Sequence, residues 1–216
     1  SALAFTRDGQ TLASGSDDGT AKLWLMGPSG DGDARLIQRG LVNSLAFSAD
    51  GHWLATTDPA CDTLRLWNVQ RGVELTNFTA TPGAVWCVAV SPDGKTVATG
   101  GVGQDTQLRL WDRAGQAPPA LLGSHGAGIE FVAFSPDGKL LATASRDETV
   151  GVWDLVQRWQ IASLGGRFNM VRCVVFSPDG KRLAAASRDG NLRLWQVGSW
   201  GEPAVLKGHN ADVWCV

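Results

Sequence analysis

The chain has few cysteines, little net charge and no long apolar run, and each shortage removes a class of function. Across 216 residues the formal net charge is -2, so no overall field draws the chain onto nucleic acid or an acidic membrane. No apolar stretch approaches the roughly 20 residues that a helix needs to cross a bilayer. The four cysteines form no Cys-x-x-Cys pair and no cluster with histidine, so no metal site is indicated. Three of them, Cys87, Cys173 and Cys215, recur in the contexts Val-Trp-Cys-Val, Val-Arg-Cys-Val and Val-Trp-Cys-Val. They read as small buried hydrophobes rather than a disulfide framework, which fits a reducing, cytoplasmic setting. No nucleophile–base–acid grouping is apparent, so neither catalytic residues nor a cofactor is expected.

What the chain has in quantity is repetition. In the stretch from Ile129 to Asp154, Asp137-Gly138 stands between alternating apolar residues as a hairpin turn. Arg146-Asp147-Glu148 makes a second polar break. Val132, Phe134, Leu141 and Val152 sit in β-branched or aromatic runs too short for helices, so the stretch predicts three antiparallel strands. The pattern returns along the chain. Turns at Asp8, Asp50, Asp93, Asp137 and Asp179 are 42 to 44 residues apart, and so are Trp24, Trp67, Trp111, Trp153 and Trp195. Phe5, Phe47, Val90, Phe134 and Phe176 keep the same register. Three markers in step define a repeated supersecondary unit, and 27 glycines fit a chain that turns this often.

The matching segments are FSPDGK at 134–139 and 176–181, VSPDGK at 90–95 and FSADG at 47–51. SGSDDGTAKLW at 14–24, ASRDGNLRLW at 186–195, Trp111-Asp112 and Trp153-Asp154 complete the pattern. On these residues the chain resembles the tryptophan–aspartate (WD40) repeat family over essentially its whole length. The resemblance implies an all-β fold, a β-propeller of four-stranded antiparallel blades at about 1–39, 43–79, 85–123, 129–164 and 171–207. Residues 213–216 would then be the first strand of a sixth blade. Both ends fall at nearly the same register of the repeat, so the chain is expected to be part of a larger, seven-bladed ring, with a closed five-bladed ring as the alternative.

The resemblance also implies a structural hydrogen-bond set of histidine, strand hydroxyl, turn aspartate and tryptophan. Only blade four holds all of it, as His125, Ser145 or Thr143, Asp147 and Trp153. Asp18, Asp105 and Asp189 keep the aspartate in blades one, three and five, where blade two has Cys61. Blades two, three and five lack the histidine, so they are expected to rely more on packing than on the polar network. His209 would serve the sixth blade. Three loops invite other readings. Asp31-Gly32-Asp33 lacks the rest of a calcium loop, and the insertion from Asp58 to Asp62 carries a proline that breaks pairing. Gly101 to Gln104 leads into a strand rather than the helix a phosphate cradle needs.

Residues repeated in every blade build blades, so function should lie in what varies. By the resemblance, two variable positions line one rim of a central channel. One holds Asn43, Trp86, Glu130, Arg172 and Trp214, and the other Asp17, Gln104, Arg146 and Arg188. Tryptophan is enriched in binding hot spots, and the planar arginine fork suits carboxylates and phosphates. The set points to a protein or peptide partner with an acidic stretch and an apolar anchor. In the competing reading, the arginines pair with Glu130 and nearby acids and the tryptophans pack between blades. Trp159 and Trp200 are expected to cover blade edges. The function expected is a non-catalytic interaction scaffold or sensor. The Ser-Pro-Asp-Gly-Lys turns are similar to those of bacterial WD-repeat proteins, whose propellers often follow a kinase or signalling ATPase domain. An enzyme with its site in the channel is the alternative, but the predicted inner strands carry Ala, Val, Leu, Phe and Cys.

Overall fold

The computed structural model describes residues 2–16, 18–27, 32–60, 62–81, 83, 85–165 and 169–216. Asp17, Cys61, Pro82, Arg167 and Phe168 lie outside the described residues, as does most of the loop before Gly32. Twenty strands form five antiparallel sheets, and no helix occurs among the described residues. The first sheet holds β1 (Ala2–Phe5), β2 (Thr11–Ser16), β3 (Thr20–Met26) and β4 (Gly32–Arg39). The second holds β5 (Leu45–Phe47), β6 (Trp53–Asp58), β7 (Thr63–Asn68) and β8 (Val73–Thr79). The third holds β9 (Cys87–Val90), β10 (Thr96–Gly100), β11 (Gln107–Asp112) and β12 (Ala120–Ser124). The fourth holds β13 (Ile129–Phe134), β14 (Leu140–Ser145), β15 (Val150–Asp154) and β16 (Trp159–Leu164). The fifth holds β17 (Val171–Phe176), β18 (Arg182–Ser187), β19 (Leu192–Gln196) and β20 (Ala204–Leu206). Strand order follows chain order in every sheet, so each repeat is one meander. Two compact units divide the chain: residues 1–99 with 110–120, and residues 100–109 with 121–216.

The first hairpin of each blade is set by one local device. In the turn after β13, Ser135 Oγ donates to Asp137 Oδ1 at 2.6 Å and accepts from Leu140 N at 2.9 Å. Asp137 Oδ1 also accepts from Lys139 N at 3.1 Å. Gly138 sits at φ 70°, where an L-residue with a Cβ is strained. The same three bonds recur around Thr6 and Asp8, and around Ser91 and Asp93. Around Ser48 and Asp50, and Ser177 and Asp179, they recur again. These bonds to the charged form hold all five carboxyls below the ordinary carboxylate value.

Blades bury apolar faces against their neighbours. Within the first unit, Ala13, Leu23, Val42, Leu54 and Trp67 form one core, and Trp53, Leu64, Val85, Val97 and Trp111 form another. In the second unit Ala142, Val152, Val171, Val174, Leu183 and Trp195 form a third. Middle strands are therefore covered on both faces, as in β14 and β15, whereas the outer strand β8 alternates exposed and half-buried residues.

The tryptophans are tied to strand hydroxyls in four blades. Their indole N–H groups donate to Ser14, Thr56, Thr99 and Thr143 at 2.8 to 2.9 Å. In blade four this corrects the expected set: Thr143, not Ser145, is the hydroxyl. Thr143 Oγ1 also meets His125 Nε2 at 2.7 Å, while His125 Nδ1 meets Asp147 Oδ2 at 2.9 Å. Position along the strand explains the difference. Thr143 and Ser145 share one face of β14, but Thr143 is next along that face to Leu141, the partner of Trp153, whereas Ser145 lies at the strand end and closes the next turn, donating to Gly128 O and accepting from Asp147 N.

The blades without a histidine also hold polar contacts around the blade tryptophan. In blade two, Thr56 Oγ1 donates to Gln38 Oε1 at 2.6 Å. In blades three and five, an arginine two residues before the tryptophan clasps the turn aspartate. Arg109 meets Asp105 at 2.8 Å with both terminal nitrogens, and Arg193 Nη2 meets Asp189 at 2.6 Å. Blade four has Gly151 at that place. A Cβ there would come within 2.6 Å of Thr143 Oγ1, 2.8 Å of Trp153 Nε1 and 2.9 Å of His125 Nε2. Histidine and arginine thus exclude one another, because both fill the space beside the tryptophan.

One further expectation is corrected. Cys87 and Cys173 are buried, but Cys215 is exposed. Val213–Val216, the expected opening of a sixth blade, carry no strand assignment of their own. They run along blade five, held by Val213 N donating to Ser187 O at 3.3 Å.

Candidate functional site

Blades four and five bring most of the variable-position residues into one cluster. Glu130 lies on β13 and Arg172 on β17. Each is the extra residue where the inner strand slips register, between Ile129 and Phe131 and between Val171 and Cys173. Such a bulge leaves one residue unpaired and turns its side chain away from the regular alternation. Arg146 and Arg188 follow the ends of β14 and β18. Their backbone N–H groups donate to Gly128 O and Asn169 O at 2.9 Å, which fixes both turns beside the bulges.

Glu130 pairs with Arg146 Nε through one carboxylate oxygen and with Arg172 Nη1 at 3.8 Å through the other. Arg172 Nη2 lies 3.7 Å from Asp212 Oδ2, and Arg188 Nε 3.4 Å from that same oxygen. The Arg172 guanidinium stands 4.0 Å over the Trp214 ring, a cation–π contact. Three guanidinium groups therefore share two carboxylates. Separations of 3.4 to 3.8 Å are ion pairs without good hydrogen-bond geometry. Arg172 Nε is buried with no hydrogen-bond partner among the described residues. Accessibility runs outward from that centre: the Arg172 side chain is 14% exposed and Arg188 52%, while Trp214 is 65% exposed.

The cluster thus contains Glu130, Arg146, Arg172, Arg188 and Trp214, and the pairing of arginines with acids is present as well. Asp212 was missed. Its repeat position reads Leu41, Ala84, Gly128, Met170 and Asp212, an acid in one repeat only, which is the signal that marks it. The other candidates stand elsewhere. Asn43 Nδ2 donates to the Trp86 carbonyl at 2.9 Å in the first unit, so both serve the backbone there, and the Trp86 side chain is half-buried. Gln104 is an exposed turn residue, and Asp17 lies outside the described residues. His125 and Asp147 are committed to the blade tryptophan. Burial pushes the Asp147 carboxyl up, but bonds from Thr149 and Gly126 N and the His125 ring outweigh it and hold the carboxyl low. No group of histidine, cysteine and acidic residues fit to hold a metal occurs among the described residues, and no helix is long and apolar enough to cross a membrane. Trp159 is 59% exposed at the start of the outer strand β16, and Trp200 packs against the blade-five core.

Repeated four-stranded meanders with a tryptophan locked to a strand hydroxyl define a class, the blades of a β-propeller. The chain belongs to the WD40 family, the WD domain, G-beta repeat, whose family model matches residues 1–24, 34–68, 72–112, 117–154 and 158–196. It is 30% identical over 115 residues to transducin beta-like protein 3 of Rattus norvegicus, covering 53% of this chain and 14% of that protein. It is 29% identical over 150 residues to periodic tryptophan protein 2 of Arabidopsis thaliana, covering 68% of this chain and 16% of that protein. An uncharacterized WD repeat-containing protein of Synechocystis sp. is 31% identical over 147 residues, covering 67% of this chain and 40% of that protein. The chain therefore spans well under half the length of these curated relatives.

Proposed function

We propose that the chain is a non-catalytic protein-interaction scaffold that binds an acidic segment of a protein partner at the Arg146–Arg172–Arg188 cluster, with Trp214 receiving an apolar side chain. The coarse reading rests on membership of the WD40 family, whose repeats generally serve protein interaction. The finer one is carried by a single observation: three guanidinium groups face two carboxylates, with the central one held only at 3.7 to 3.8 Å. A partner carboxylate offers Arg172 and Arg188 the closer, forked bonds that Asp212 does not provide, and such bonds are roughly twice as strong as neutral ones. Trp214 adds a large exposed aromatic surface beside them, the pairing of residue types typical of hot spots. Docking at a protein partner from within a larger signalling protein is compatible with this reading, and a cytoplasmic setting suits it.

The test is fluorescence anisotropy on the full chain with two labelled peptides, one with a leucine flanked by aspartates and glutamates, the other with lysines at those places. The acidic peptide should bind, more weakly as salt rises, and lose binding in the combined Arg146→Ala, Arg172→Ala, Arg188→Ala variant. Circular dichroism of the variant checks that the blades persist. Equal binding of both peptides, or acidic-peptide binding that survives the triple substitution, would sink the reading.

A further inference from the structure

Within the first unit, the outer strands of blade two and the turns of blade three enclose a groove of about 450 Å³. Small-molecule sites run from roughly 300 to 1,000 Å³. We propose that this groove binds a small amphiphilic carboxylate, with its apolar body on Leu66 and Leu75 and its carboxylate between Lys95 and Arg113. No residue of the Arg146–Arg172–Arg188 cluster takes part, so the groove is independent of the partner reading.

The apolar side is built by an irregularity in the sheet. Leu66 on β7 pairs with Thr76 on β8, but the next pair is Trp67 with Glu74, which leaves Leu75 as the extra residue of a bulge. Regular alternation sends neighbouring side chains to opposite faces. The bulge breaks that alternation, and Leu75 and Thr76 both line the groove. Leu66 is 1% exposed and Leu75 47%, so one is a fixed floor and the other has apolar surface left to cover.

The charged side is peculiar to blade three. Two residues past the blade tryptophan the chain reads Met26, Val69, Arg113, Leu155 and Val197. The five places are structurally equivalent, because each N–H donates to the carbonyl two residues past the turn aspartate. Four are apolar and only Arg113 is charged. In blade three that bond sets two cations side by side, Arg113 N donating to Lys95 O at 3.0 Å. The Arg113 guanidinium stands 5.4 Å over the buried Trp53 ring, a cation–π contact that orients it. Neither Lys95 nor Arg113 forms an ion pair among the described residues. Asp112 also lines the groove, but its Oδ1 accepts from Ala114 N at 3.3 Å and serves the turn. Two cations against one acid leave the groove positive, and the planar guanidinium fork suits a carboxylate. An inorganic anion leaves the leucines bare, and a neutral apolar molecule leaves the cations unmatched. A carboxylate on an apolar body satisfies both sides.

The experiment titrates octanoate, and separately octanamide, into the ¹⁵N-labelled full chain, with acetate holding ionic strength constant, and follows amide shifts. Octanoate should shift Thr76, Lys95 and Ala114 saturably, and octanamide should bind about tenfold more weakly, the worth of a charge-assisted bond. Arg113→Leu copies the residue of blade four and Lys95→Gln that of blade one, so both suit the fold, and dispersed spectra check it. Each should weaken octanoate about tenfold. No saturable shift, equal binding of octanoate and octanamide, octanoate binding unchanged in Arg113→Leu, or shifts centred on Arg146, Arg172 and Arg188 instead would overturn the proposal. Peptide anisotropy on Arg113→Leu reads the partner site separately, and failure of either reading leaves the other standing.

Discussion

Replacing Thr143 by valine keeps the side chain's shape and removes one oxygen, which makes it a sharp test of the blade-four network. That oxygen accepts from the Trp153 indole N–H at 2.9 Å, meets His125 Nε2 at 2.7 Å and lies 3.3 Å from the Gly151 carbonyl. Trp153 is 3% exposed and Thr143 fully buried, so the freed indole N–H cannot turn to water. A buried donor left unpaired costs about 1–3 kcal/mol, and a second loss at His125 brings the expected cost to roughly 2–4 kcal/mol. Ser145→Ala removes bonds to a neighbouring turn at 3.1 to 3.3 Å and should cost only about 1 kcal/mol. Equilibrium urea unfolding is the assay: a loss of about 3 kcal/mol lowers the midpoint by about 1–2 M. Since repeats can open one at a time, amide exchange at Val152 and Trp153 is followed alongside. A Thr143→Val chain within about 0.5 kcal/mol of the parent, with Ser145→Ala the more damaging, would refute the reasoning.

Other outcomes follow from the same geometry. Gly151→Ala forces a methyl into the histidine network and should cost about 1–3 kcal/mol. The double variant His125→Ala with Gly151→Arg should regain part of that loss by adopting the arginine clasp of blades three and five, and urea midpoints of the two variants decide it. Arg193→Lys keeps charge but not the fork at Asp189 and should lower stability by about 1 kcal/mol; an unchanged midpoint would count against the clasp. The five turn aspartates are held below the ordinary carboxylate value when folded. Their contribution is thus present above about pH 4 and lost as pH falls through the depressed folded values. Unfolding midpoints should therefore decline on acidification from pH 5 to pH 2, and a flat profile would contradict the turn chemistry.

Local chemistry made the blades legible in the sequence. Asp-Gly turns, β-branched runs and regularly placed tryptophans each carry their meaning within about ten residues, so strand order and blade count could be read without a structure. The variable positions were legible as a set of residue types, Glu130, Arg146, Arg172, Arg188 and Trp214 among them. What escaped was everything settled across strands and blades. Thr143 and Ser145 are both strand hydroxyls on the same face of β14, and only their distance along the strand from the partner of Trp153 separates them. Arg109 and Arg193 carry no local mark, and only the fold closes them on Asp105 and Asp189. Asp212 gained a role only by lying beside two arginines from another repeat.

The sequence by itself determined a repeated, tryptophan-anchored meander, because turns and strand periodicity are short-range properties of the chain. The tertiary structure alone decided which polar groups meet. The bulges at Glu130 and Arg172 turn those side chains out of the strand alternation. The packing of residues 213–216 along blade five sets Arg172 against Trp214 and Cys173 against Cys215, residues 42 positions apart. Distances between such residues depend on how sheets pack, a sum over many weak contacts that no local pattern records.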